Sequence, residues 1–442
     1  MSYPDLESAT RDINQMQLTQ RLGRVQAISG QAVEVSGLAD MAEVGGEVEI
    51  QSASLFLRAS VLSISGNLIR VLPRSNPNGI RLNAPVFYRG RFTISPHATW
   101  LGRIIGAAGE AIDGKPLRSG TTSCEIKSPS LPAARRGGLG QRLASGSAVF
   151  DSLLPIVEGQ RIGLFSGSGV GKSTLLAQLA TKLETDVAIV ALIGERGREV
   201  MEFAEQKLSE HGRSSTIIVA ATSDKSAADK CRAGEIAMTL AEWFRDQGKS
   251  VLFVCDSVTR FAEAHRDIAT ISGEVAGPSG YPPSTSAAIM ALVERAGPGA
   301  AGTPGITAVF SVLAEGSDMD GYVPDVVRGV LDGHVILERE IAEQGRFPAI
   351  NLRRSVSRAL PNAASPAENA TLLRIRKLAA DYDNAALMIK SGLYDAGANR
   401  DIDRAITAHP LLEDFLSSAN DAGFAEVFQR LEQILAAVEN PQ

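Results

Sequence analysis

From Gly23 to about Arg91 the chain carries short runs in which apolar residues recur at alternate positions. They are Arg24-Val-Gln-Ala-Ile28, Ala32-Val-Glu-Val35, Glu47-Val-Glu-Ile50, Ala59-Ser-Val-Leu-Ser-Ile64 and Leu68-Ile-Arg-Val-Leu72, separated by glycine or asparagine turns. A period of two predicts half-buried strands, and several strands at this spacing predict a small barrel or a sandwich. After about Phe92 the pattern changes. Apolar runs at Arg161–Phe165, Val187–Ile193, Ser215–Ala220, Ser250–Cys255 and Gly305–Leu313 alternate with helical stretches. Such alternation predicts a mostly parallel sheet covered by helices. Beyond Pro361 strand-like runs stop, and Ala367 to Asn440 reads as helices broken at Gly392, Gly397, Pro410 and Gly423. Residues 1–20 are polar, with Leu6, Ile13, Met16 and Leu18 on a loosely helical spacing, and read as a mobile or partner-bound tail. The expected division is a tail (1–21), a β domain (22–92), an α/β domain (93–365) and a helical domain (366–442), with Pro361-Asn-Ala-Ala-Ser-Pro366 at the last boundary.

Composition narrows the class. A chain of 442 residues exceeds one core, and 44% hydrophobic with 21% charged residues is the composition of a soluble globular protein. The balance of 44 Lys and Arg against 50 Asp and Glu gives a net charge of −6, which argues against a nucleic-acid coat. Cys124, Cys231 and Cys255 are odd in number and widely spaced, so they propose neither a disulfide framework nor a zinc site, and a reducing cytoplasm fits. The five histidines, His265 and His334 among them, lack ligand spacing. The start of the chain has no basic and apolar leader, and no apolar run approaches the roughly 18 residues of a membrane span, so membrane association is expected to be peripheral.

The chemistry begins at Ser166-Gly-Ser-Gly-Val-Gly-Lys172-Ser173, between the strand-like Arg161–Phe165 and the helix-like Thr174-Leu-Leu-Ala-Gln-Leu-Ala180. Strand, glycine-rich loop and helix in this order form a phosphate loop for ATP or GTP. Gly167, Gly169 and Gly171 permit backbone angles closed to other residues, and the N–H groups around Ser168, Val170 and Thr174 can face phosphate oxygens. Lys172 can reach the β- and γ-phosphates, and the Ser173 hydroxyl can ligate Mg²⁺. Ser166 stands where the consensus has glycine.

Hydrolysis also needs a metal, a positioned water and positive charge on the transition state. Asp256 ends the run Ser250-Val-Leu-Phe-Val-Cys255, at the carboxyl edge of a strand, where it can hold the Mg²⁺ hydration shell; a helix N-cap is the alternative role. Glu195 follows the run Val187–Ile193 within Gly194-Glu-Arg-Gly-Arg-Glu199. It suits a carboxylate polarising the attacking water, with Arg196 holding its geometry; a surface Glu/Arg cluster is the alternative.

Gly194-Glu-Arg-Gly-Arg-Glu199, Asp256-Ser-Val-Thr-Arg260-Phe and Pro348-Ala-Ile-Asn-Leu-Arg-Arg-Ser355-Val-Ser-Arg358 together resemble the F-type/V-type rotary ATPase superfamily. The resemblance runs from about residue 22 to 435. Leu101-Gly-Arg-Ile, Ile112-Asp-Gly114, Leu154-Pro155, Ala241-Glu-Trp-Phe-Arg-Asp-Gln-Gly248, Gly280-Tyr-Pro-Pro283, Leu292-Val-Glu-Arg-Ala-Gly297 and Leu331-Asp-Gly-His334 are most similar to the flagellum-specific and type III secretion export ATPases. The implied fold is α/β: a P-loop RecA-like central domain with an N-terminal small β-barrel and a C-terminal helical domain.

The resemblance also implies roles. Arg358 corresponds to an arginine finger reaching the neighbouring protomer's nucleotide, a contact worth roughly 10³–10⁵ in rate. Phe347 matches the aromatic residue that packs adenine, with a core phenylalanine as the alternative, and Arg260 matches an arginine near the γ-phosphate. The implied protein is a Mg²⁺-dependent ATPase, a homohexamer at the cytoplasmic face of an export gate. Its implied partners are a stator-like regulator on the N-terminal tail, a central stalk protein, export gate membrane proteins and chaperone–substrate complexes, with no direct nucleic acid. Flagellar export is the first expectation and an injectisome the second. An RNA translocase is disfavoured by the lack of a basic, aromatic-bearing N-terminal domain, and a noncatalytic ring subunit by Glu195, where such subunits tend to carry Gln. Gly277-Pro-Ser-Gly-Tyr281-Pro-Pro-Ser-Thr-Ser286 and Val323-Pro-Asp325 depart from the export ATPases' usual Ala-Arg-Gly-Tyr-Pro-Pro-Ser-Val-Phe-Ala and Ile-Ala-Asp, which puts the usual stalk contact in doubt.

Overall fold

The structure is a computed structural model, and it describes residues 21–52, 55–314 and 321–439. The tail expected to bind a regulator, residues 1–20, lies outside the described residues. The chain divides into two compact units, one running to Phe92 and including Thr270–Glu274, the other formed by Thr93–Ala269 and Val275 onward.

In the first unit six antiparallel strands close a barrel in the order β1-β2-β5-β4-β3-β6. They are β1 (Leu22–Ser29), β2 (Ala32–Ser36), β3 (Gly46–Ser52), β4 (Leu55–Ser65), β5 (Leu68–Pro73) and β6 (Pro85–Arg91). The period-two pattern places Val25, Val33, Val35, Val48, Ile50, Val61, Ile69, Val71 and Val86 in one buried core, which resolves the choice between barrel and sandwich. Two-residue turns join β1 to β2 and β4 to β5, and Gly30 (φ 59°) and Gly66 (φ 56°) supply the positive φ such hairpins require.

The second unit holds a two-stranded ribbon of β7 (Thr93–Ile94) with β9 (Cys124–Glu125), and an eight-stranded sheet. The sheet consists of β8 (Ile104–Gly106), β10 (Arg161–Ser166), β11 (Val187–Ile193), β12 (Thr216–Ala221), β13 (Val251–Asp256), β14 (Ile306–Leu313), β15 (Gly333–Leu337) and β16 (Val356–Ser357). Its order is β16-β15-β10-β14-β13-β11-β12-β8, and only β16 runs antiparallel to its neighbour. Every residue of β11 and β13 is buried, as the middle strands of a parallel sheet covered on its faces must be. Because β10, β11 and β13 are parallel, the residues following all three reach the same sheet edge.

The helices are α1 (Lys172–Lys182), α2 (Gly197–Glu202), α3 (Glu210–Ser214), α4 (Ala227–Asp246), α5 (Val258–Ser272), α6 (Pro283–Arg295), α7 (Tyr322–Gly329), α8 (Arg339–Glu343), α9 (Pro366–Lys390), α10 (Arg400–Ser417) and α11 (Phe424–Glu439). A π-helical turn, Phe203–Lys207, follows α2 directly. The last three helices share a hydrophobic core with the sheet unit, through Leu372, Ile375, Leu412, Phe415, Val427 and Leu431. Pro410 does not break the chain as expected. It lies exposed within α10, while Ala408 and Leu412 on either side are buried, so packing of the apolar face holds the helix despite the missing N–H. A capping box between Ser365 and Glu368 starts α9, and Glu368 also accepts a 3.0 Å hydrogen bond from Arg142 of the sheet unit.

Candidate active site

The loop between β10 and α1 closes around glycines with φ of 79° at Gly169 and 84° at Gly171, and Gly171 forms the N-cap of α1. Val170 is buried and anchors the loop, whereas Ser168, Gly169 and Thr174 are exposed beside the helix N-terminus, with Gly167 partly exposed between them. This geometry leaves backbone N–H groups at the positive end of the helix for an anion. The Ser166 hydroxyl beneath the loop is fully buried and has no hydrogen-bond partner among the described residues.

Lys172 extends to the ends of the neighbouring strands. Its ammonium pairs with Asp256 and stands 3.8 Å from Glu195 Oε1. Asp256 is almost fully buried and also accepts a 2.6 Å hydrogen bond from the Ser311 hydroxyl. The cap of α5 falls instead to Ser257, whose hydroxyl accepts from the Arg260 N–H at 3.3 Å. Ser173, Glu195 and Asp256 line one pocket of about 200 Å³ together with Leu192, Arg198, Glu199, Glu202, Phe203 and Lys207.

Burial pushes the Glu195 carboxyl up to about 7; a hydrogen bond with Glu199 and the negative charge of Asp256 add to this, and Lys172 opposes it. A carboxylate near neutrality beside a phosphate loop has the proton affinity of a general base.

The remaining candidates divide. Arg260 lays its side chain across Gly194, where an added Cβ would come within 3.1 Å of it, and it also bonds Glu263 at 2.8 Å. Arg196 is turned outward, 82% exposed, and its nearest acid is Glu199 at 3.6 Å; the structure does not bring it to the Glu195 carboxylate. Phe347 is 49% exposed and rests on the phosphate loop, its ring 3.1 Å from where a Cβ on Gly171 would lie. Arg358 follows the edge strand β16, fixed by its N–H to the Asp332 carbonyl at 3.0 Å. Its guanidinium is exposed, with no partner among the described residues, and the structure does not bring it to the cleft of its own chain. Sequence reasoning missed Ser311, Glu199 as a neighbour that helps raise the Glu195 carboxyl, and the pocket-lining Lys207. Glu199 lay inside a quoted motif, but nothing local marks Ser311.

Among the described residues no cluster of three or more His, Cys, Asp or Glu side chains could hold a metal. One hydroxyl and one carboxylate at a phosphate loop fit a Mg²⁺ ion that takes its other ligands from phosphate and water. No helix of the described residues is long and apolar enough to cross a membrane.

A glycine-rich loop at the carboxyl edge of a parallel sheet, a lysine reaching two acids and a carboxyl poised near neutrality define a nucleotide triphosphatase domain of the P-loop class. Comparison with known proteins gives the family. Residues 146–357 match the nucleotide-binding domain of the ATP synthase alpha/beta family, and residues 364–433 match the C-terminal domain of the type III secretion ATPase EscN. A flagellum-specific ATP synthase of Caulobacter vibrioides is 40% identical over 93% of this chain and 95% of its own. The SPI-2 type 3 secretion system ATPase of Salmonella typhimurium is 39% identical over 85% and 87%. The assembled ATPase EscN of enteropathogenic E. coli superimposes with a TM-score of 0.87 at 33% identity, over 93% of this chain and all of that one. The chain belongs to the flagellum-specific and type III secretion ATPases of the ATP synthase alpha/beta family, and it is an ATP-hydrolysing enzyme.

Proposed function

We propose that this ATPase energises flagellar type III protein export as a homohexameric ring. The observation that carries the reading is the pairing of Lys172 with both Asp256 and Glu195 at the mouth of the phosphate loop, on a chain whose exposed Arg358 lies apart from its own cleft. Lys172 and the loop N–H groups bind the phosphates, Phe347 offers its ring to the base, and Glu195 takes the proton of the attacking water. Ser173 and Asp256 are the residues that would hold Mg²⁺, whose chemistry is to neutralise charge on the β- and γ-phosphate oxygens. Arg358 completes the site of the adjacent protomer. A single gene product then builds every site, since base and finger reside on one chain. Arg260, folded over Gly194, supports the turn that presents Glu195.

Seven of the similar proteins, Caulobacter's among them, carry the name flagellum-specific ATP synthase, which favours the flagellar system. The injectisome reading rests on the Salmonella relative and on the EscN superposition. EscN has also been solved in complex with its central stalk EscO, and that complex superimposes with a TM-score of 0.84, so a stalk protein is the proposed partner in the ring's bore. A stator-like regulator on residues 1–20, export gate membrane proteins and chaperone–substrate complexes complete the proposed assembly, at the cytoplasmic face of the membrane.

The test is secretion of flagellin and hook protein by cells carrying Glu195→Gln, with abundance checked by blotting. Lost secretion at normal abundance supports the reading; normal secretion and swimming move the protein to an injectisome.

A further inference from the structure

Arg346 precedes the half-exposed Phe347, yet its own side chain is only 9% exposed. It folds back under the segment that follows. Its guanidinium donates to the Pro348 carbonyl at 3.3 Å and to the Ile350 carbonyl at 2.8 Å. The fork thereby fixes the backbone on which the Phe347 ring stands. The charge is met by Glu413 of α10, whose Oε2 lies 2.7 Å from Nε. This contact is an ion pair rather than an aligned hydrogen bond, since Nε has no acceptor in hydrogen-bond geometry.

The segment of α10 that carries Glu413 packs on α9. One turn earlier on α10, His409 stacks on Tyr382 of α9 with ring centroids 3.6 Å apart and planes within 8°. At the other end of the chain of contacts the Phe347 ring presses on Gly171 of the phosphate loop. Phosphate loop, aromatic ring, buried arginine and C-terminal helix are therefore connected without a gap, all inside one compact unit.

We infer that Arg346 is a positioning residue for the Phe347 ring and that Glu413 holds it from α10, so that the C-terminal helices set how tightly the nucleotide base is gripped. This rests on the reading of Phe347 as the base platform. Arg346 and Glu413 touch neither phosphate nor base. The loss is expected to fall on the base, because the hydrogen bonds and ion pair of Arg346 go to Pro348, Ile350 and Glu413 rather than to the phosphate loop.

Titration of the full-length chain with ADP and with pyrophosphate, which lacks a base, separates the contributions. Glu413→Gln is expected to weaken ADP by about five- to tenfold, as loss of one charge-assisted contact implies, and to leave pyrophosphate unchanged. Arg346→Lys keeps the charge but cannot span both carbonyls, and the same ADP-selective loss is expected; it stands in if Glu413→Gln does not fold. In a Phe347→Ala background Glu413→Gln should add nothing. Equal weakening of both ligands, or no change in either, overturns the inference while Phe347→Ala still weakens ADP alone. If Phe347→Ala leaves ADP unchanged, the base platform itself falls, and the inference with it.

Discussion

The Ser311 hydroxyl, in the interior of β14, donates a 2.6 Å hydrogen bond to Oδ1 of Asp256, the oxygen that also pairs with Lys172. Asp256 is 2% exposed, so few other groups can replace that hydrogen bond. Ser311→Ala is expected to lower kcat about five- to tenfold, near 1 kcal/mol, by loosening the carboxylate that would orient the metal's water shell. Steady-state ATPase assays over a Mg²⁺ titration check this; an unchanged kcat means Asp256 is oriented by Lys172 alone.

Glu195 gives a pH dependence of definite sign. Its carboxyl is raised to about 7 by burial first and Glu199 second, and only the ionised form can accept a proton from water. Activity should therefore fall as pH drops through about 7. Glu199→Gln replaces a proton-sharing acid with an amide donor, which favours the carboxylate and moves this acid limb to lower pH. A pH–kcat profile of the two proteins shows the shift directly.

The same group opposes folding above neutrality. Between its ordinary 4.5 and its folded value the native state binds more protons than the unfolded one, so the stability it contributes is present below 4.5 and lost as pH rises through about 7. Glu195→Gln should abolish turnover, retain nucleotide binding and melt higher than the wild type at pH 8 without nucleotide. Equal melting temperatures at pH 8 would mean that the carboxyl is solvated in the native state.

If Arg358 completes a neighbour's site, two inactive variants should rescue each other. Glu195→Gln and Arg358→Ala each leave one half of the interface intact, and random mixing pairs the intact halves at about a quarter of the seams. Mixed, reassembled protein is expected to regain activity that neither variant has alone. Failure to regain any, with mixed rings verified by differential tags, would assign Arg358 to its own chain.

Glu242 and Arg295 come from two motifs quoted for the family, and the structure shows why they travel together. Arg295 grips Glu242 through Nε at 2.9 Å and through a terminal nitrogen at 2.7 Å, and donates as well to the Ile126 carbonyl and the Thr239 hydroxyl. Both side chains are nearly buried. Arg295→Leu strands a buried carboxylate and should cost about 3–5 kcal/mol of stability, with ADP affinity unchanged in the protein that folds. Chemical denaturation and nucleotide titration together check it.

Legibility in the sequence followed the physics of each element. The five barrel strands with clean alternation and the five apolar strands of the sheet could be read because burial on one face or two imposes a local period. The strands β6, β8, β15 and β16 could not. Pro85 and the polar Tyr88-Arg-Gly-Arg91 blur β6, while β8 and β16 are three and two residues long and carry no period at all. In the site, loop and acids were visible because chemistry restricts residue type at fixed spacing. Ser311, and Glu413 as the partner of Arg346, were invisible because their meaning lies in pairings that only the folded chain creates. Arg196 shows the converse: adjacency to Glu195 in sequence turned its side chain to the opposite direction.

Helix α9 starts at a point tied to the sheet unit by Ser365, Glu368 and Arg142, and runs 25 residues without interruption. At 1.5 Å per residue its far end stands about 37 Å from that anchorage, where Leu387 and Leu393 are 83% and 76% exposed. The uninterrupted helix thus sets a fixed spacing of about seven turns between its ion-paired start and the exposed leucines at its far end.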